Sequence, residues 1–209
     1  MKRMAAIMAV AMAAAVLWLG PPGIDERAAR EAPRLEAELR SRAWHIDPAE
    51  LLDLMHDNQV RLAVLDVRDE ADYNLFHLMD ARRWSGDADD LRWVRALPDA
   101  SVKVLVANGE TRADEAWRRL AVAGVPNVYI LAGGINGWLE LYARYAPPQA
   151  LSFTTVAATA DARGYAFGAA LGARHAPALP PASLFADRAY EPKVKVVRPA
   201  AATAGGCGV

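Results

Sequence analysis

LAVLDV at residues 62–67, VKVLVA at 102–107 and VYIL at 128–131 are the stretches that decide the fold of this 209-residue chain. Each is a nearly continuous apolar run, and the first carries a polar residue near its carboxyl end. Runs of this kind are typical of strands that are buried on both faces of a parallel sheet. We therefore expect three such strands between residues 62 and 131.

Helical segments alternate with these strands. DPAELLDLMHDN at 47–58 places Asp47 before a proline, which predicts an N-cap followed by a first helical turn. TRADEAWRRLAVAG at 111–124 has Thr111 three residues before Asp114 and ends on Gly124, which predicts a capped start and a glycine stop. Strands that alternate with helices predict an open α/β parallel sheet flanked by helices, with right-handed crossovers.

Two motifs carry a family resemblance. LDVRDEADYNLFHL at 65–78 is similar to the D-V-R, E-Y, G-H-I segment of the rhodanese-like (sulfurtransferase-like) domains, with Phe76 at the glycine position. NVYILAGGINGW at 127–138 resembles the closing signature of the same family. The resemblance covers residues 44–145, about half the chain, and implies the rhodanese-like fold for that part.

Most residues of these motifs have a structural interpretation. A charge at the end of a buried strand persists only when it is paired, so Asp66 and Arg68 are expected to form an ion pair that fixes the adjacent loops. His77 is expected to hydrogen-bond to backbone rather than to act in acid–base catalysis. The glycines are expected to permit positive φ and close helix–strand approach, and the tryptophan to seat the last helix on the core. These last residues are Gly133, Gly134, Gly137 and Trp138.

The loop after the second strand departs from the family pattern. The resemblance implies a cysteine at the end of that strand, whose thiolate carries the transferred sulfur, then backbone amides that hold it and an arginine that binds an anionic substrate. Asn108 stands at the cysteine position, the loop is one residue shorter, and Glu110 adds negative charge. We therefore predict a degenerate loop without a catalytic residue, with Asn108 and Arg112 as binding residues. Its members are Asn108, Gly109, Glu110, Thr111 and Arg112.

Cys207 is the only cysteine of the chain, so it excludes an internal disulfide. It lies in a glycine-rich terminus and is a candidate reactive thiol for intermolecular disulfide formation, metal capture or oxidation, and less favourably for the loop itself. The four histidines show no ligand spacing. We expect neither a metal site nor a cofactor.

Residues 1–22 are typical of an export signal or membrane anchor. Lys2 and Arg3 precede an uncharged stretch that runs to Gly20 and is short compared with the roughly 20 residues needed to span a bilayer. An uncleaved anchor is favoured over a cleaved signal, and a buried helix of the fold is the third interpretation. The basic start predicts that the rest lies outside the cytoplasm. The protein would then be anchored in the inner membrane facing the periplasm, or be periplasmic after cleavage.

The flanking regions are less specific. Residues 23–43 predict a solvated spacer helix, or alternatively a partner-binding helix. Residues 146–209 are expected to form a partly ordered extension with a β-type run at 151–156, an edge strand or extended segment at 190–197 whose lysines face water, and ten disordered terminal residues. The extension is predicted to pack Phe167, Phe185 and Tyr190 on the main domain. The alternative is a partner-binding lobe built from Arg163, Gly164, Tyr165, Phe167, Gly168 and Gly172.

Two classes of function remain open. A formal net charge of -1 gives no field that would recruit nucleic acid. The favoured hypothesis is a non-catalytic binding or regulatory module outside the cytoplasm that recognises a protein partner, or a small anion, through its modified loop. The alternative is a thiosulfate or persulfide sulfurtransferase that uses Cys207 or a partner's cysteine. A phosphatase related to the rhodaneses would lack the same thiolate.

Overall fold

The computed structural model describes residues 24–143, 153–155, 161–167, 170, 172–185 and 189–196. The predicted signal or anchor at 1–22, Cys207 and the ten terminal residues lie outside this part of the chain. None of the helices within the described ranges is long and apolar enough to cross a membrane.

Five parallel strands form the main sheet, in the order β1-β5-β4-β2-β3. The three apolar runs are β2, β4 and β5, and they occupy the centre of this sheet, as their composition predicts. The edges of the sheet are the two short strands β1 and β3, which contain no apolar run that would predict them. The bounds are β1 His45–Ile46, β2 Leu62–Asp66, β3 Arg82–Arg83, β4 Val102–Val106 and β5 Val128–Leu131.

Within the described residues, six α-helices accompany the sheet. They are α1 Ile24–Arg40, α2 Pro48–His56, α3 Glu70–Leu75, α4 Ala88–Ala96, α5 Thr111–Val122 and α6 Gly134–Tyr142. The predicted cap of α2 is present, because the Asp47 side chain accepts a hydrogen bond from the Ala49 amide. The open α/β sheet flanked by helices is confirmed.

The core has two sides because side chains alternate along each strand. Val104 and Val106 of β4 belong to a cluster with α2 and α6, where Trp138 is fully buried. Leu105 of β4 belongs to the opposite cluster with α5, where Trp117 is buried. A strand covered on both faces explains why β4 has no polar face in the sequence.

Helix α1 differs from the solvated spacer expected for residues 23–43. Leu35 and Leu39 are 1% and 6% exposed and join the core cluster around α5. Glu36 on the same helix lies 2.8 Å from the Arg118 guanidinium of α5. One stripe of leucines four residues apart is enough to dock the helix, so α1 packs as a layer of the domain.

The described parts of the C-terminal extension contact the main domain. A small antiparallel pair, β6 (Phe153–Thr155) and β7 (Tyr165–Phe167), is followed by 3-10 helices at Ala176–Ala178 and Ala182–Phe185. Phe167 stacks on Phe76 of the main domain, with ring centroids 5.8 Å apart. The hydroxyl of Tyr190 donates to Asp53. The position of the Phe185 side chain is outside the described part.

The segment at 189–196 is extended but is assigned no strand. The amides of Lys193 and Val194 both donate to the Glu50 carboxylate, at 2.8 and 2.7 Å. The prediction that both lysines face water is wrong for Lys193, whose ammonium donates to the carbonyls of Arg42 and His45 at 2.8 Å each. The Glu50 carboxylate and the carbonyls of Arg42 and His45 therefore hold residues 193 and 194 against the domain.

Candidate binding site

The candidate site lies at the carboxyl ends of β2 and β4. These strands are neighbours, and Asp66 is in register with Val106. The amide of Val67 continues the pairing by donating to the Val106 carbonyl at 2.9 Å. Residues that follow the two strands therefore meet at one edge of the sheet, where α/β folds bind their ligands.

Asp66 and Arg68 form the buried base of this site. Arg68 donates to Asp66 through Nε at 2.9 Å and through Nη2 at 2.6 Å, and Nη2 also reaches the Phe76 carbonyl at 2.6 Å. Burial acts to lower the pKa of Arg68, but the hydrogen bonds and charge of Asp66 outweigh it and leave that pKa raised. The predicted ion pair is present, and it holds the β2–α3 loop.

Asn108 follows β4 and is 5% exposed. Its Oδ1 accepts from Arg68 Nη1 at 3.3 Å and from the Tyr165 hydroxyl at 3.4 Å, while its Nδ2 donates to Asp72 Oδ2 at 2.6 Å. The carboxamide is thus engaged on both its oxygen and its nitrogen. Because each end has a partner of the correct polarity, the orientation of this amide is fixed.

Tyr165 closes the site from the C-terminal extension. Its hydroxyl accepts a hydrogen bond from Arg68 Nη1, and the residue is 2% exposed. Burial raises the pKa of Tyr165 to about 12, although the positive charge of Arg68 opposes this shift. The phenol therefore stays protonated at neutral pH and acts as a hydrogen-bonding group of the buried network.

A carboxylate accepts hydrogen bonds from the backbone amides of the loop. Asp161 Oδ1 accepts from the Gly109 amide at 3.0 Å and Asp161 Oδ2 from the Arg112 amide at 2.5 Å. Its carbonyl also accepts from Asn108 Nδ2 at 3.3 Å. We call the Gly109 and Arg112 amides the amide cradle. This arrangement places negative charge at the N-terminus of α5, where the helix dipole favours it.

The geometry around Asp161 depends on Gly109 and Asn136. A Cβ atom added to Gly109 would lie 3.0 Å from the Asp161 amide nitrogen, so glycine permits this close approach. Asn136 holds the following residues by donating to the Ala162 carbonyl and accepting from the Gly164 amide, both at 2.8 Å. Asp161 itself has a left-handed backbone conformation, with φ of 59°.

The start of α5 differs from the sequence-based prediction. Thr111 is the first residue of the helix rather than its cap, and Glu110 at the N-cap position makes no capping hydrogen bond with its side chain. Asp161 supplies the missing acceptor from a distance of 49 residues along the chain. The cap of this helix is therefore tertiary.

Glu110 is also placed differently from the expectation. Its carboxylate accepts from the Arg42 guanidinium at 2.6 and 2.8 Å and from the Gly133 amide at 2.7 Å. The hydrogen bonds from Arg42 lower the pKa of Glu110 against the effect of burial. The negative charge of Glu110 is therefore paired with Arg42. The carboxylate that contacts the cradle amides is that of Asp161.

The remaining predicted residues lie around this site. The Arg112 side chain is half-exposed, and its nearest acid is Asp69 at 3.8 Å. His77 Nδ1 bonds the Tyr73 carbonyl at 2.8 Å, which is the predicted backbone contact, although the residue is only partly buried. Trp138 donates to the Pro177 carbonyl at 2.6 Å, so it seats both α6 and the C-terminal extension.

Gly134 is the glycine on which the loop depends most. Its φ is +58°, and an added Cβ would lie 2.2 Å from the Gly109 carbonyl oxygen and 2.6 Å from that of Ala107. Gly133 also has a positive φ, of +71°, as predicted. The prediction is wrong for Gly137, which lies within α6 without a positive φ and where an added Cβ would make ordinary contacts. The helix start and the loop are therefore in contact through their backbones.

Comparison with known proteins gives the family of the central residues. A family model described as Rhodanese-like domain matches residues 47–141. These residues form a rhodanese-like domain. Its bounds fall within the 44–145 expected from the motifs. A search of curated proteins found no match.

Solved structures give similarities of limited extent. A protein from Lactobacillus plantarum is 26% identical, covering 53% of this chain and 93% of its own, with a TM-score of 0.41. The BH2092 protein from Bacillus halodurans is 24% identical, covering 54% and 81%, with a TM-score of 0.42. The rhodanese-like domain of the Alr3790 protein from Anabaena sp. is 22% identical, covering 57% and 96%, with a TM-score of 0.40.

Sequence reasoning missed two acids of the site, Asp72 and Asp161. Asp72 lies inside the first motif, and its position one turn before Phe76 could have placed it near Arg68. Asp161 carries no local signal, because it lies in an alanine-rich stretch beyond the rhodanese-like domain. Tyr165 was named only within the alternative lobe. Among the described residues, no group of His, Cys, Asp and Glu side chains is arranged to hold a metal ion.

Proposed function

We propose that the rhodanese-like domain is a non-catalytic binding or regulatory module. The observation that carries the proposal is Asn108, which follows β4 and is held by Arg68 and Asp72. Sulfur transfer of the rhodanese type needs a thiolate nucleophile at this point. A carboxamide has no proton to lose at neutral pH and no sulfur on which to carry a persulfide.

The surroundings of Asn108 support the same proposal. A catalytic loop presents free backbone amides to the anion that it binds. Here the Gly109 and Arg112 amides already have the carboxylate of Asp161 as acceptor. Arg68, the buried cation of the site, is saturated by Asp66, Phe76 and Tyr165. The two cradle amides and the Arg68 guanidinium are therefore already hydrogen-bonded within the chain.

The proposed recognition surface is the rim of this site. Arg112 contributes its backbone amide to the cradle and Arg163 lies two residues after Asp161, and their side chains are 49% and 42% exposed. Each has an acid only at long range, Asp69 at 3.8 Å and Asp72 at 3.6 Å. Half-exposed arginines with loose partners suit contact with acidic groups of a protein partner. The proposed partner is therefore a protein with an acidic surface.

The proposed setting is the outer face of the inner membrane. It rests on residues 1–22, whose basic start and apolar run are typical of an anchor or export signal. Fractionation of cells that express the full chain, followed by protease treatment of intact spheroplasts, tests it. Protection of the domain from protease would contradict the proposed orientation.

The test of the non-catalytic proposal is cyanide-dependent production of thiocyanate from thiosulfate. We expect the full chain to stay at the background rate and Cys207→Ser to be indistinguishable from it. Turnover by the wild-type chain that disappears in Cys207→Ser would overturn the proposal in favour of a sulfurtransferase that uses Cys207. Turnover that needs an added thiol-bearing partner protein would overturn it in favour of a partner's cysteine.

A further inference from the structure

The occupant of the amide cradle belongs to the chain itself. We propose that Asp161 is a built-in competitor, so that an external oxyanion binds the cradle only when residues 161–163 leave it. This inference rests on the proposed function, because it concerns regulation of the same loop. A carboxylate with one oxygen on each of two amides has the shape and charge of a bound oxyanion.

The local contacts favour a replaceable occupant. Asp161 and Ala162 are partly exposed, Arg163 is half-exposed, and none of them inserts a large apolar side chain into the domain. Their contacts with the rest of the domain are hydrogen bonds and one ion pair. Segments held in this way open at lower free energy than buried elements.

Tyr165 is the fixed residue on the C-terminal side of the segment that would move. It is 2% exposed, packs against Phe167 with ring centroids 4.9 Å apart, and contacts Arg68. The chain is therefore anchored at Tyr165, and Asp161 lies in the connection between the paired strands β6 and β7. Release of residues 161–163 would expose the Gly109 and Arg112 amides without unfolding the buried network.

A purely structural cap is the competing explanation, and Asp87 gives a matched control. Asp87 caps α4 by accepting from the Asp90 amide at 2.8 Å, in the way that Asp161 caps α5. Replacing either by alanine is expected to lower stability. Only Asp161→Ala is expected to create an anion site, because Asp161 reaches the Gly109 and Arg112 amides from a distant part of the chain, whereas Asp87 is a local cap that also accepts from the Ser85 hydroxyl at 2.9 Å.

The experiment measures sulfate binding by the full chain through the shift of its thermal unfolding midpoint, against chloride at equal ionic strength. Sulfate stabilises most folded proteins, so Asp87→Ala and the wild type define that general effect. We expect Asp161→Ala to bind sulfate at least about ten-fold more tightly than the wild type, as the loss of a charge-assisted competitor predicts. Thiosulfate is expected to behave in the same way, since the cradle recognises oxyanion charge.

Equal sulfate dependence in Asp161→Ala, Asp87→Ala and the wild type would overturn the inference and leave Asp161 a structural cap. If Asp161→Ala does not fold, Asp161→Asn keeps an oxygen acceptor but loses the charge. It is expected to show a smaller gain, and no gain would overturn the inference. The thiocyanate assay distinguishes this failure from failure of the proposed function. Turnover without any gain in sulfate binding would reject both, and turnover with the gain would reject only the non-catalytic proposal.

Discussion

The site has two halves that are held by different forces. The inner half, Asp66, Arg68 and Asn108, belongs to the rhodanese-like domain and is 0%, 2% and 5% exposed. The outer half, residues 161–163, comes from the C-terminal extension and is partly exposed. Buried charges must be fully paired, whereas surface hydrogen bonds exchange with water at little net cost. The inner half therefore specifies the fold, and the outer half is where occupancy can change.

Removal of Arg68 tests the inner half and has the largest expected effect. Arg68→Met leaves the Asp66 carboxylate buried without its cation, so we expect a loss of about 3–5 kcal/mol in the free energy of unfolding. Urea denaturation followed by circular dichroism measures it. Arg112→Met is the matched control at a half-exposed arginine and is expected to cost about 0.5 kcal/mol or less.

Addition of Asp66→Leu to Arg68→Met sharpens this result. With both charges removed, no unpaired ion remains in the interior, and we expect part of the lost stability to return. Equal stability of Arg68→Met and Arg112→Met would show that the inner half is not fixed by its buried charge.

The hydroxyl of Tyr165 joins the two halves. Tyr165→Phe removes one acceptor from Arg68 and one donor to Asn108 while it keeps the ring, and we expect a loss of about 1–2 kcal/mol. Tyr190→Phe removes a hydroxyl that contacts Asp53 in a partly exposed position. It is expected to cost about 0.5 kcal/mol or less in the same denaturation experiment. A larger loss for Tyr190→Phe would contradict this account of the extension.

Glu110 gives a smaller and pH-dependent effect. Hydrogen bonds from Arg42 lower its pKa in the folded state, so its stabilisation is present above the ordinary glutamate pKa and is lost as pH falls through the lowered value. Glu110→Gln is expected to lose about 1 kcal/mol at neutral pH and to match the wild type in strong acid. Denaturation curves across this range measure the difference. Glu115→Gln, at an exposed position of α5, should show no such trend.

The central strands could be predicted because burial on both faces leaves an unbroken apolar run. Strands β1 and β3 could not, since each is two residues long and they include His45, Arg82 and Arg83. Edge strands that pair on one side need no such run. The docking of α1 was underestimated because Leu35 and Leu39 make a thin stripe, although that stripe is enough to bury both.

The site could be predicted only where its residues lie within one motif. Asp66 and Arg68 are two residues apart, so their pairing follows from the burial of the strand end. The partner of the Arg112 amide follows from no local pattern, because Asp161 reaches it through tertiary folding. The sequence therefore predicts that Thr111 caps α5, whereas in the structure Asp161 accepts the hydrogen bond at that helix start.

Intact-mass spectrometry after incubation with thiosulfate tests the central claim most directly, that the protein carries no transferred sulfur because its loop has no thiol to hold one. We expect the mass of both the wild-type chain and Cys207→Ser to stay unchanged, with no added sulfur atom that cyanide can remove. A cyanide-labile gain of one sulfur atom in the wild-type chain would contradict it. Peptide mapping would then show whether Cys207 carries that sulfur.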